Sequence, residues 1–118
     1  MNISEAILCF TQSEKIKSGL IWAIHLSQMR ESIPQNQRNG AEKIIETLVD
    51  MIGHEIQLTG NMVQEKAWNE AGQSINMALV MIRSKVPEEV SFHLTNAISR
   101  VTSLGQRAMT YLKDKGCL

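Results

Sequence analysis

The segment VSFHLTNAISRVTSLGQRAMTY, residues 90–111, has the clearest helical pattern in the chain. Its apolar side chains recur at alternating steps of four and three residues, which places them on one face of an α-helix. A proline stands shortly before it at position 87, and proline suits the first turn of a helix. The segment therefore predicts a long helix that packs through one stripe: Val90, Leu94, Ala97, Val101, Leu104, Ala108 and Tyr111.

Proline and glycine divide the remaining sequence into three further helices. Pro34 and Pro87 are predicted to open helices, because the fixed φ of proline fits a first helical turn. Gly60 and Gly116 are predicted to end helices, and Asn61 to cap the one that follows Gly60. The helices lie near residues 4–31, 34–59, 62–85 and 87–115. Similar lengths and short connections predict an all-α, antiparallel up-down-up-down four-helix bundle that forms one domain over residues 1–118.

The first three helices carry apolar residues at helical spacing, which define the expected core, and no segment alternates as a strand does. These residues are Ile3, Ile7, Phe10, Ile16, Leu20, Ala23 and Ile24 in the first helix; Ala41, Ile45, Leu48, Ile52 and Ile56, widened by Ile44 and Met51, in the second; and Trp68, Ala71, Ile75, Ala78, Leu79 and Ile82 in the third.

The charge balance excludes several classes of partner. Twelve Lys and Arg residues offset 12 Asp and Glu residues, so no net field attracts nucleic acid or an anionic membrane. The longest uncharged stretch runs from Ser18 to Met29, well short of the ~20 apolar residues of a membrane span. Cys9 and Cys117 form neither a metal-binding pair nor a disulfide framework. We therefore expect a cytoplasmic protein without nucleic-acid or membrane partners.

Catalytic and metal-binding patterns are absent from the sequence. Di-iron bundles use Glu-x-x-His pairs, and the chain has none. Asp50 with His54 and Glu89 with His93 are four residues apart, and we interpret them as surface polar pairs. The sequence also has no nucleophile elbow and no phosphate-binding glycine loop. We therefore predict that the protein is not an enzyme and uses no cofactor or metal.

Histidines and arginines support an alternative hypothesis. His93, Arg100 and Arg107 recur every seven residues in the last helix and form one polar stripe that an anion or acidic partner could contact. A solvated outer face explains the stripe equally well. A histidine phosphotransfer domain also matches the chain in size and class. However, His25, His54 and His93 all lack the lysine that such domains place one turn later.

Two helices carry more apolar surface than one bundle can bury. Residues 20–26 and 77–82 are apolar nearly all round, which predicts burial on more than one face. The side chains that point away from the core stripe define the predicted interface: Trp22, Leu26, Met29, Met77, Val80 and Met81. Trp and Met are favoured at such interfaces.

The sequence therefore predicts a homo-oligomeric bundle, most simply a homodimer, that acts through protein–protein interaction as an adaptor, small regulator or chaperone-like protein. A methionine-rich groove for another protein's amphipathic helix is a related possibility. The alternative is a ligand-binding or histidine phosphotransfer-type signalling domain.

Overall fold

A computed structural model describes all 118 residues and contains four α-helices and no strand. The helices are α1 (Ile3–Met29), α2 (Arg38–Met62), α3 (Lys66–Arg83) and α4 (Pro87–Asp114). Consecutive helices pack on each other and α1 also packs on α4, which closes the ring and leaves α1 diagonal to α3. The predicted all-α four-helix bundle is confirmed, in a body of 55 × 22 × 18 Å.

The helix ends follow the sequence signals in part. Pro87 is the first residue of α4, and Gly116 takes a φ of +73° just beyond its end, as predicted. The prediction for Pro34 is wrong, because this residue is extended and α2 begins only at Arg38. Two short 3-10 turns, Arg30–Ser32 and Gln35–Gln37, flank Pro34 instead.

Gly60 does not end α2, and Asn61 does not cap α3, which corrects the sequence prediction. α2 continues to Met62, and α3 begins at Lys66 after an extended Glu65. A Cβ at Gly60 would lie 3.2 Å from Cβ of Trp68 on α3. The glycine therefore permits close contact between the two helices rather than a turn.

The core contains the predicted stripes of α3 and α4 almost completely, with Tyr111 only partly buried. α1 departs from the prediction, because Ile3 and Ile7 are exposed while the small residues Ala6, Cys9 and Ser13 are buried. α1 lies so close to α4 that a Cβ at Gly105 would be 2.5 Å from Oγ of Ser13. Small side chains fill this narrow contact, and the isoleucines lie outside it.

The core stripe of α2 is narrower than predicted. Ile45 and Ile52 are buried, whereas Ile44 and Met51 are exposed. Neighbouring residues in a helix are 100° apart, so two consecutive large side chains cannot both enter a core of this width. The widening assigned to Ile44 and Met51 is therefore wrong, and both residues belong to the surface.

Candidate interaction surface

The six predicted interface residues lie on two separate surfaces. The exposed ones are Trp22, Leu26 and Met29 on α1, and Met77 and Val80 on α3. Met81 is partly buried against the core. Because α1 and α3 lie diagonally across the bundle, these residues do not meet in one patch. Trp22 is the most exposed of the six, at 62%.

α2 carries a second exposed apolar stripe, of which the sequence pattern predicted three members, Ile44, Leu48 and Met51, as core residues. Its positions, spaced 4-3-4-3-4, are Ile44, Leu48, Met51, Glu55, Leu58 and Met62. Four of its five apolar members are exposed, and the fifth, Leu48, is partly buried against the core. The sequence signal for this exposed stripe is its own 4-3 repeat, which runs beside the repeat of the buried residues Ile45, Ile52 and Ile56.

The exposed stripes of α1 and α2 border the same groove. Nζ of Lys15 lies 3.2 Å from Oε1 of Glu55, so this ion pair spans the groove between the helices. Trp22 follows Lys15 by seven residues, and Met62 follows Glu55 by seven. Seven residues are two helical turns, so Trp22 lies on the same side of α1 as Lys15, and Met62 lies on the same side of α2 as Glu55.

The contacts between α1 and α2 also fix the register. Nε2 of Gln12 donates to Oγ1 of Thr59 over 2.9 Å, and a Cβ at Gly19 would contact Ile52 at 3.4 Å. In each of these two contacts, the residue numbers from α1 and α2 add to 71. Trp22 is therefore level with residue 49, near the middle of α2. We define the α1–α2 face as Trp22, Leu26, Met29, Ile44, Met51, Leu58 and Met62.

The α1–α2 face is nearly free of charge. The α1–α2 groove carries two ion pairs, Lys15 with Glu55 and, near its other end, Arg30 with Glu42, and the charges within each pair offset each other. Hydrogen bonds from Gln12 and then Lys15 hold the pKa of Glu55 below its ordinary value, so its carboxylate stays ionised and paired. α1 has no charged residue between Lys17 and Arg30. Depletion of charge beside Trp and Met is typical of the centre of a protein interface.

The basic stripe of α4 is paired within the chain. Nη1 of Arg100 lies 3.4 Å from Oε2 of Glu70, and Nη1 of Arg107 lies 3.6 Å from Oε2 of Glu65. His93 is half-buried in the same groove as Arg100 and Glu70. Glu70 of α3 and Glu65, the residue just before α3, are therefore the acidic partners of the two arginines. A contact with an external anion stays a prediction, and these ion pairs would compete with it.

Side chains with metal-binding or nucleophilic chemistry are dispersed. No three His, Cys, Asp or Glu side chains come together as a metal site. Asp50 and His54 line a polar groove of about 590 Å³ between α2 and α3, whose other polar walls are Gln57, Asn69, Gln73 and Asn76. Cys9 is buried in the core, where burial raises the pKa of its thiol. This thiol therefore resists forming the thiolate that nucleophilic chemistry requires.

A buried carboxylate connects three segments at one end of the bundle. Glu42 of α2 accepts a 2.6 Å hydrogen bond from Nε of Arg30, at the end of α1, and another from Nζ of Lys85 in the α3–α4 connection. These bonds, the one from Lys85 above all, lower the pKa of Glu42 despite its burial. Lys85 has a φ of +62°, a backbone conformation that residues other than glycine rarely adopt. The cluster holds this connection in place.

No helix is long and apolar enough to cross a membrane. Comparisons of the chain with protein-family models, with curated proteins and with solved structures found no match. The α1–α2 face holds seven of the 15 large apolar side chains that the fold leaves exposed.

Proposed function

We propose that this protein acts through protein–protein contact and that the α1–α2 face is its binding surface. The observation that carries the proposal is the pair of exposed apolar stripes, spaced by threes and fours, on two adjacent helices. Such spacing is how helices present side chains to another helical chain. A non-enzymatic adaptor, small regulator or chaperone-like role follows from this mode of action.

The energetics of the face favour a covered state. Complete burial of one large apolar side chain contributes roughly 1.5–3 kcal/mol, and the face holds seven such residues. Association costs an estimated 4–15 kcal/mol of translational and rotational freedom, which is of the same order as the gain from covering seven side chains that are already between 36% and 69% exposed. Left uncovered, a patch of this kind promotes aggregation.

The other surfaces support the proposal by contrast. The α3–α4 groove is crossed by the ion pairs of Arg100 and Arg107. The α2–α3 groove is lined by amides, Asp50 and His54, which water solvates well. Met77 and Val80 are exposed on α3, but beside this charged and polar surface.

Methionine oxidation tests the proposal, because Met29, Met51 and Met62 lie on the face and Met77 lies outside it. Peroxide converts an accessible methionine to its sulfoxide, and the rates are read by peptide mass spectrometry. The protein is oxidised at submicromolar and at high micromolar concentration, and also with a synthetic amphipathic helix of Leu and Lys.

We expect the high protein concentration or the synthetic helix to protect the three face methionines while Met77 continues to react. Met77 is the matched control, since it is also an exposed helical methionine. If Met29, Met51 and Met62 react as fast as Met77 at both concentrations and also with the synthetic helix, the face is not covered by a protein chain and the proposal is rejected.

A further inference from the structure

We infer that the occupant of the α1–α2 face is a second copy of this chain, related by a two-fold axis near the middle of α2. This inference rests on the proposed function and deepens it by naming the partner. Three properties of the face support it: its dimensions, its lack of charge and the position of its largest side chain.

The dimensions of the face fit an interface between two equal subunits. α2 has 25 residues and is therefore about 37 Å long, and the bundle is 18–22 Å across. The face runs from Ile44 to Met62, about 28 Å of this length, and covers roughly 500–600 Å² on each subunit, so two copies together bury about the 1,000 Å² that a specific interface needs. A single docked helix would cover only part of this width, since helices pack about 8–10 Å apart.

The charges favour a partner with the same character. Lys15 and Glu55 already pair with each other, so the face offers no net charge to an acidic or a basic partner. A neutral, apolar surface is complementary to itself, because a two-fold axis then opposes no like charges. The α3–α4 groove is crossed by two ion pairs, the α2–α3 groove is lined by amides, Asp50 and His54, and the α1–α4 groove holds Glu14, Lys17 and Lys113. A second copy of the chain thus offers its own α1–α2 face an apolar surface without excess charge.

The register places the most favourable contact at the centre. Trp22 lies level with residue 49 of α2, and Met51 is exposed beside that level. A two-fold axis through the middle of the face brings Trp22 and Met51 of both copies together. Tryptophan at the centre of an interface, surrounded by apolar residues that exclude water, is the common arrangement of binding hot spots.

Light scattering coupled to size exclusion tests the inference directly. At micromolar concentration we expect twice the 13.2 kDa mass of the chain. Trp22→Glu, and independently Met51→Lys, should weaken association at least about tenfold and give the single-chain mass. Val80→Glu is the matched control, an exposed apolar position on the diagonal helix, and should leave the dimer intact. Circular dichroism on each variant verifies that the helices are retained. Because Trp22 and Met51 lie on different helices, each variant tests the interface separately.

The outcomes separate this inference from the proposed function. A single-chain mass at high micromolar concentration, with face methionines protected only by the synthetic helix, would overturn the second copy and support a different helical partner. Dissociation by Val80→Glu but not by Trp22→Glu or Met51→Lys would overturn it by placing the dimer on α3. A mass of four or more chains would overturn the single two-fold axis.

Discussion

The two halves of this bundle use their apolar residues differently. In α3 and α4, the residues of the predicted stripes are nearly all buried, and outside them only three large apolar side chains are exposed, Met77, Val80 and Phe92. In α1 and α2, apolar residues form two stripes per helix, of which one is buried and one is exposed. The half formed by α3 and α4 therefore has one apolar surface to cover, and the half formed by α1 and α2 has two.

Hydrophobicity does not by itself identify a core position in this bundle. Ala6, Cys9 and Ser13 are buried in α1, whereas Trp22 is 62% exposed. The core of a bundle selects side chains by fit, because interiors are close-packed and α1 lies very near α4. Large apolar residues excluded from that contact are then free to form a surface for another chain.

The largest effect is expected at two neighbouring isoleucines of α2, of which one is buried and one is exposed. Ile45 is 6% exposed and Ile44 is 69% exposed. Ile45→Ala should lower the free energy of unfolding by about 2–5 kcal/mol, because it leaves a cavity in the core. Ile44→Ala should change it by no more than about 0.5 kcal/mol, because it removes surface contacts only.

Both isoleucine variants are measured by urea unfolding in the Trp22→Glu background, so that subunit association does not contribute to stability. Equal losses at the two positions would mean that Ile44 is buried within a single subunit. The division of α2 into an inner and an outer stripe would then be incorrect.

Sequence patterns predicted the fold because the bundle depends on features that one helix displays alone. The 4-3 repeat of α4, Pro87 and Gly116 each act within a few residues of themselves. Gly60 misled the prediction because its role depends on Trp68, which lies on another helix. A glycine that ends a helix and one that admits a neighbouring helix look the same in sequence.

The candidate surface was predictable only in part, for the same reason. The uncharged stretch of α1 and the exposure of Trp22 follow from the sequence. The exposed stripe of α2 does not, because Ile44 and Ile45 are equally apolar and only packing decides which one is buried. Likewise, the pairing of Arg100 with Glu70 requires the register between α3 and α4, which no local pattern provides.

An effect of intermediate size is expected at Glu42, which connects α2 with the end of α1 and with the α3–α4 connection. Glu42→Gln should lower the free energy of unfolding at pH 7 by about 1.5–3 kcal/mol, since charged hydrogen bonds to Arg30 and Lys85 are lost. The folded protein lowers the pKa of Glu42, so its contribution is complete above the ordinary range of an unfolded glutamate. The contribution is lost as the pH falls through the lowered pKa.

Urea unfolding from pH 7 to pH 3 measures this dependence. The difference between the wild type and Glu42→Gln should shrink as the pH falls, because a protonated Glu42 resembles glutamine. Glu55, whose pKa is also lowered, is present in both proteins and cancels from the difference. A difference that stays constant over this range would show that Glu42 does not act through its charge.

The smallest effect is expected at the contact between α1 and α4, which is too close for large side chains of α1. A Cβ at Gly105 would lie 2.5 Å from Oγ of the buried Ser13, whereas a Cβ at Gly40 would meet nothing within 4 Å. Gly105→Ala should therefore lower the free energy of unfolding by about 1–3 kcal/mol through overpacking. Gly40→Ala should raise it by about 0.5–1 kcal/mol, because alanine is the better helix former.

Urea unfolding of both glycine variants at one protein concentration makes the comparison, and Ser13→Ala in the Gly105→Ala protein supplies the control. Removal of Oγ from Ser13 relieves the closest contact, so part of the lost stability should return. If Gly105→Ala is as stabilising as Gly40→Ala, then α1 and α4 have room between them. The isoleucines of α1 would not be excluded by close packing in that case, and the exposed residues Ile3 and Ile7 would need another explanation.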